Sequence, residues 1–449
     1  MMLKGYPEYK DSGLAWLGNI PKHWKVGRLK QICHLAYGDS LPDDVRLAGE
    51  VPVYGSNGQV GFHLSANTLS PCIVIGRKGS FGKVNYSFCP VFAIDTTFFV
   101  DSRFTKADIR WLFYILIWAH LDAVSKDAAV PGLNRGEAYA QLIPYCPQAE
   151  QQHIANYLDA KTRQINRFIR SKQQLINLLT EQKQAVINQA VTRGIDPNVR
   201  LKPSGIDWLG DIPEHWIMKP LKHWVKINTR VLPESTDPNY EFLYLDISAV
   251  STGFLVKEPE KMLFGSSPSR ARRILSKGDI IISTVRTYLK AIYFVKEDLP
   301  NYIASTGFAV LTPNKEIYPK FLSYVIQSRS FIDSVTANSV GVAYPAIAET
   351  KLAMLHLAIP RDFIEQQAIV KKIENEISPL EKAINRALRE IDLIREYRTR
   401  LISDVVTGKI DVRDISVEPT EGLEGYEELD MLEEADKQEE EIKEIEEDL

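Results

Sequence analysis

The sequence predicts a mixed α/β (α+β) protein built twice: two pseudo-symmetric mixed α/β domains separated by two long antiparallel helices that pair as a coiled coil. Two gap-free repeats and one looser one predict it. SGLAWLGNIPKHWKVGRLK at residues 12–30 returns at 204–222 as SGIDWLGDIPEHWIMKPLK, 192 positions on. Eleven of the nineteen residues are identical, among them Trp16 and Trp208, Pro21 and Pro213, His23 and His215, and Trp24 and Trp216. Residues 150–196, from EQQHIANYLDAK to AVTRGID, align without a gap on residues 365–411, from EQQAIVKKIENE to VVTGKID. The regions between these motifs correspond loosely, so the order lead-in segment, domain, long segment occurs twice.

The long segments read as helices. In the first copy Leu158, Ile165, Leu179 and Val186 recur every seven residues, with Lys172 interrupting; in the second Ile373, Leu380, Ile394 and Leu401 do so, with Ala387 as the small member. Such a seam is too narrow for a globular core and suits a partner helix, the nearest being the other copy. Each helix runs about 40 residues, on the order of 60 Å, and Pro379 is expected to kink the second. An antiparallel pair lets a twofold superpose the halves. In mid-chain VTRGIDPNVRLKPSGIDWLG carries the first helix straight into the second lead-in segment; at the chain ends that junction is cut, so Asp11–Trp16 are expected beside Lys409–Arg413. The expected division is 1–147 for the first domain with its lead-in, 148–196 for the central helix, 197–361 for the second domain, 362–413 for the last helix and 414–449 for an acidic tail.

Within each domain a buried strand ends in a basic turn, CIVIGRKGSFGKV at 72–84 and DIIISTVRTYLKAI at 279–292. IDTTFFV (94–100) and ASTGFAVL (304–311) follow, where Thr96 and Phe98 match Thr306 and Phe308. One apolar helix comes next in each, IRWLFYILIWAHL at 109–121 and YPKFLSYVIQSRSFI at 318–332. A short loop and strand then lead to Pro144 in GLNRGEAYAQLIP and to Pro360 in YPAIAETKLAMLHLAIP.

At 449 residues the chain has room for two or three cores, and 45% hydrophobic with 25% charged residues fits a globular protein. No apolar run approaches the roughly 18–20 residues of a membrane span, and MMLKGYPEYK lacks the apolar core of a signal peptide, which implies a cytoplasmic protein with no membrane partner. Cys33, Cys72, Cys89 and Cys146 form no CxxC pair and are expected as buried free thiols, with no metal site. The net charge of -4 is unevenly spread: residues 417–449 hold sixteen Asp and Glu against two Lys, a net of -14, which leaves +10 on residues 1–416. A basic body fits a polyanion partner, and the acidic tail has too few large apolar residues to fold alone.

Taken together, GLAWLGNIPKHW and GIDWLGDIPEHW, PVYGSNGQVG with PCIVIGRKGSFGKV and AIDTTFFV, and the helices from EQQ to VTxxID resemble the specificity subunit of type I restriction-modification systems, over essentially residues 1–413. The resemblance implies two target-recognition domains, each reading one half of a split sequence in double-stranded DNA, and helices that set their separation and dock two methyltransferase (modification) subunits. Restriction or translocase subunits would complete the assembly. It further implies that S-adenosylmethionine, ATP and magnesium belong to those partners and that this chain holds no cofactor of its own. The acidic tail lies outside the pattern.

Gripping duplex DNA takes cations that displace condensed counterions and separate side chains that read base edges. In the first domain Arg77, Lys78 and Lys83 stand among Gly76, Gly79 and Gly82, where small residues let backbone approach phosphate. Asn134 and Arg135 in GLNRG are the candidate readers, since Asn pairs two-pronged with adenine and Arg with guanine. The second domain offers Arg270, Arg272 and Arg273 in SRARR, then Arg286, Tyr288 and Lys290, with Tyr344, Pro345 and Ala346 where the first has its Asn and Arg. Each such cation has an equally ordinary reading as solvated surface charge. The repeated tryptophans read as packing and His23 and His215 as structural, because they sit where the two domains are most alike.

Catalytic signatures are missing or broken. GRKGSFGK lacks the GK[ST] ending of a phosphate-binding loop, DPNY at 237–240 has Asn239 in place of the second proline of an amino-methyltransferase signature, and Asp159–Lys161 has no acidic partners on its helix. The chain is therefore expected to be non-catalytic. A coiled-coil scaffold with two protein-binding modules is the competing reading; it explains the helices and the symmetry but not the basic body.

Overall fold

The structure, a computed structural model, describes residues 4–123, 132–206, 209–341 and 344–416, so Trp208 and the acidic tail from Val417 lie outside the described residues. Seven α-helices run through them: α1 (Ile109–Trp118), α2 (Arg135–Ala140), α3 (Gln148–Arg193), α4 (Pro319–Gln327), α5 (Arg329–Ala337), α6 (Glu349–Met354) and α7 (Phe363–Val406). The chain separates into two compact units whose boundary crosses both long helices. One takes the described residues up to Lys172 and those from Arg389 on; the other takes Gln173–Leu388.

Each unit is built on the same four-stranded antiparallel sheet. In the first the order is Ala36–Tyr37, Thr97–Val100, Cys72–Gly76, Val84–Ser87; in the second it is Val225–Ile227, Phe308–Pro313, Ile280–Ser283, Ile292–Phe294. Cys72–Gly76 and Ile280–Ser283 are buried at every position, as unbroken apolar runs require in a covered sheet. The expected match of Phe98 to Phe308 is off by one residue: Phe308 lies opposite Ser283, the last residue of its strand, where the first unit has Thr97 opposite Gly76, and Phe98 lies opposite Ile75. A second sheet with one parallel pairing flanks each core, Val51–Gly55 with Phe92–Ala93 and Glu241–Leu245 with Tyr302–Ser305. The lead-in segment pairs with the domain's last strand in both units, Lys25–Arg28 with Leu142–Tyr145 and Ile217–Pro220 with His356–Ile359.

The long helices are 46 and 44 residues, and they are antiparallel within each unit. In the first, Arg398 donates to Asn166 Oδ1 at 3.0 Å and Lys172 meets Glu390 at 2.6 Å. In the second, Lys183 meets Glu381 at 2.7 Å and Lys372 reaches the Ile195 carbonyl at 3.4 Å. Partner numbers fall as α3 numbers rise, which only an antiparallel pair gives. Lys172, the break in the heptad, is thus an ion-paired seam position. The seam is buried at Leu158, Ile165, Ile373, Ala387 and Leu401 and half-buried at Leu179, Val186, Leu380 and Ile394. α7 continues through Pro379.

Two motif pairs lock each unit. Glu150, from EQQ, accepts from Tyr6 Oη at 2.6 Å, pairs with His23 at 2.7 Å and accepts from Trp24 Nε1 at 3.0 Å. Glu365 does the same for His215 at 2.9 Å and Trp216 Nε1 at 2.9 Å. Gln151 Oε1 accepts from the Asp108 amide ahead of α1 at 2.9 Å, as Gln366 Oε1 does from Tyr318 ahead of α4 at 2.6 Å. Arg110 on α1 pairs with Asp159 on α3 at 2.7 Å, and Lys320 on α4 pairs with Glu374 on α7. The repeats are therefore the two sides of one latch between lead-in, domain and helix. The cut junction closes as well: the Asp411 amide donates to the Lys4 carbonyl at 2.8 Å and Tyr9 Oη to the Lys409 carbonyl at 3.2 Å. Trp16 and Lys409 line one cleft, and the hydrogen bonds of the junction are made by Lys4 and Tyr9.

Four expectations are corrected. The helix over 318–332 is two helices broken at Ser328, whose hydroxyl accepts from the Phe331 amide to cap α5. The loops before the final strands contain the short helices α2 and α6. Trp24 and Trp216 are buried, but Trp16 is 62% exposed and leans on the Trp118 ring at 5.7 Å. Of the cysteines, Cys33, Cys72 and Cys146 are buried and Cys89 is exposed; burial pushes the Cys33 and Cys72 thiols up to about 12. Among the described residues no cluster of His, Cys, Asp and Glu could hold a metal ion, and no helix is long and apolar enough to cross a membrane.

Candidate nucleic-acid interface

In the first domain the buried strand Cys72–Gly76 delivers the turn that carries Arg77, Lys78 and Lys83. Gly76 N to Lys83 O and Gly82 N to Gly76 O, both 2.8 Å, close that turn. Gly82 has φ +78 and a Cβ there would lie 2.1 Å from the Asp122 amide, so only glycine fits. The GLNRG loop is laid on the turn by its backbone: the Leu133 amide donates to the Arg77 carbonyl at 2.9 Å, and Lys78 forms a β-bridge with Gly132. Arg77, Lys78, Asn134 and Arg135 are thus brought together, with Lys78 exposed. Lys83 sits at the foot of the turn, its ammonium 2.5 Å from Asn57 Oδ1.

The side chains are held unequally. Arg77 Nη2 donates to the Asp95 carbonyl at 2.7 Å, and its guanidinium rests against the rings of Tyr37 at 5.2 Å and Phe98 at 5.9 Å. Arg135 lies over Tyr37 at 4.6 Å and Tyr139 at 5.9 Å. Asn134 Oδ1 accepts from the Gly136 amide at 2.7 Å and caps α2. Two-pronged adenine pairing needs that oxygen, so the geometry gives Asn134 a capping role. Asn134 with Glu137 three residues on is the N-cap spacing that signals this role in the sequence.

The second domain repeats the plan with other side chains. Val285 forms a β-bridge with Ala346, and the Thr287 amide donates to the Pro345 carbonyl at 3.3 Å, so the loop again docks on the turn. Arg286 lies over the Tyr344 ring at 5.1 Å. Arg286 and Lys290 both have φ +50, a left-handed backbone that costs a non-glycine residue about 1 kcal/mol or more. They bracket Thr287–Leu289, which presents Tyr288 at 53% exposure. The SRARR residues lie on the flanking sheet. Arg270 pairs with Asp246 at 3.0 Å, and its carbonyl accepts from the Thr306 amide, between Tyr302–Ser305 and Phe308–Pro313, at 2.7 Å. Arg272 and Arg273 are half-buried strand residues, Arg272 over the Phe264 ring at 4.7 Å.

The sequence model of the type I restriction modification DNA specificity domain matches residues 21–178 and again residues 213–390, most of the chain. The chain belongs to that family. Among specificity-family relatives, it is similar to the HindI type I restriction enzyme specificity subunit of Haemophilus influenzae, 30% identical over 158 residues, 34% of this chain and 31% of that one. The matched stretch therefore spans under a third of that relative's length. It is also similar to the MjaVIII type I restriction enzyme specificity subunit of Methanocaldococcus jannaschii, 23% identical over 317 residues, 69% of this chain and 72% of that one. A chain solved in work on complex assembly and conformational transition of the type I R-M system superposes with a TM-score of 0.60 at 12% identity, covering 87% of this chain and 99% of that one, a likeness of fold. Both matched stretches of the specificity domain run from the lead-in segment into a long helix and include all the cations named above.

Proposed function

We propose that this chain is the DNA-reading, non-catalytic subunit of a type I restriction-modification complex, in which each specificity domain reads one half of a split, asymmetric target. The observation that carries this reading is the repeated docking of a variable loop on a basic turn, Gly132 on Lys78 in one domain and Ala346 on Val285 in the other. A shared backbone scaffold that presents unlike side chains is what two readers of unlike half-sites need. The long helices dock two methyltransferase subunits, and those partners, with a restriction or translocase subunit, supply methylation with S-adenosylmethionine and ATP- and magnesium-dependent cleavage.

The test is the methylation motif made in cells by the chain with its methyltransferase partner. Replacing residues 30–143 with the corresponding domain of a relative changes one half-site and leaves the other. Neutralising Arg77, Lys78 and Lys83 together weakens binding to every duplex and flattens the dependence of log K on log salt by about one unit for each phosphate no longer neutralised. A domain exchange that altered both halves, or a continuous wild-type motif, would sink the two-reader model.

A further inference from the structure

We propose that Tyr37, which lies in neither basic motif, is the residue that positions the first domain's base-reading arginine. This rests on the two-reader function above and adds to it a division of labour between two arginines that share one ring. Tyr37 is fixed from below. It pairs across the sheet with Phe98, whose ring is 5.0 Å away. The next residue, Gly38, passes so close to the neighbouring chain that a Cβ would lie 2.0 Å from the Ile94 carbonyl oxygen, so the chain after Tyr37 has one path. The ring is nonetheless 48% exposed, and Arg77 and Arg135 both rest against it, at 5.2 and 4.6 Å.

The two guanidiniums depend on that ring differently. Arg77 has a second anchor in its bond to the Asp95 carbonyl, and its Nε is buried with no hydrogen-bond partner among the described residues. With Nη2 bonded and Nε buried, Arg77 suits a single phosphate contact. For Arg135 no hydrogen bond holds the guanidinium among the described residues; the Tyr37 and Tyr139 rings alone place it. Stacking uses the face of a guanidinium and leaves its N–H edge for two parallel bonds, the geometry that reads guanine O6 and N7. It also orders a side chain before binding, so less conformational freedom is lost when DNA arrives. Removing the ring therefore releases Arg135 while Arg77 keeps its carbonyl anchor.

The experiment uses the full chain with its methyltransferase partner and two probes: a duplex bearing the mapped wild-type methylation motif, and one altered at a single base pair of the first domain's half-site. Tyr37→Leu should lower the preference for the motif duplex about tenfold at the position Arg135 reads, with no change in the salt slope, because every cation is still present. Tyr37→Phe keeps the ring and should keep the preference, and discrimination in the other half-site stays as in the wild type for both variants. Arg135→Ala combined with Tyr37→Leu should do no more than Arg135→Ala alone. Equal weakening on both duplexes by Tyr37→Leu, or an unchanged preference, would overturn the proposal. If instead the triple change at Arg77, Lys78 and Lys83 left the salt slope untouched, this face would not meet DNA and the underlying reading would fail first.

Discussion

Single residues show where the repeats draw their energy. Glu150 is buried and takes three donors, Tyr6, His23 and Trp24; Glu365 takes two, and its side chain is 24% exposed beside a His215 that is 51% exposed. Removing the carboxylate strands every donor it served, and a bond to a charged group is worth about 1.5–3 kcal/mol. Glu150→Ala should therefore destabilise its unit by about 3 kcal/mol, and Glu365→Ala its own by about half that. A chain of two compact units has no single unfolding midpoint, so the measurement is amide hydrogen exchange followed separately in each. Equal costs would mean that Tyr6 and the deeper burial of Glu150 contribute nothing. The sequence made each half of this latch visible as a repeat but not their pairing, because Trp24 and Glu150 are 126 positions apart. Tyr37 is still less legible. Its partners lie in three other segments, and a lone exposed tyrosine has no pattern to read.

At the scale of elements, periodicity found what is periodic. The long helices stand where heptads placed them, and the buried strands and α1 where unbroken apolar runs did, since each is decided by its own residues. What failed was decided by single side chains: the break at Ser328 by a hydroxyl cap, and α2 by the Asn134 cap inside a run too short to show a period. Pro379 is the reverse case, a breaker overruled by packing, since Ile373 and Ile377 before it are buried. A proline inside a helix lacks one amide bond and costs about 3 kcal/mol, and Pro379 itself is exposed. Pro379→Ala should thus stabilise α7 by about 1–3 kcal/mol, read as slower exchange of the amides around it. Faster exchange there would show that the proline itself contributes to the seam.

Over the whole molecule the chain is a ring of motifs cut at one place. From α3 the backbone leaves through Gly194, at φ +75, and runs on to pair Leu201–Pro203 with Asp211–Pro213. From α7 it leaves through Gly408, at φ +76, and meets Lys4 just ahead of Tyr9–Asp11, which pairs with Asn19–Pro21. One junction is covalent and the other is a backbone hydrogen bond of 2.8 Å between Asp411 and Lys4. A bond that short means the covalent link can be moved. Joining Ile415 to Lys4 through a short flexible linker and opening the chain after the exposed Asn198 should give a soluble chain with the same latches in both units. The cost at the new opening is small, chiefly the bond from the Val199 amide to the Asp196 carbonyl at 3.3 Å. Coexpressed with the methyltransferase partner, this permuted chain should methylate the wild-type motif, with both half-sites and their spacing unchanged. An insoluble product, or a motif that lost one half, would show that the covalent junction at Gly194–Leu201 carries strain or order that the hydrogen-bonded junction does not.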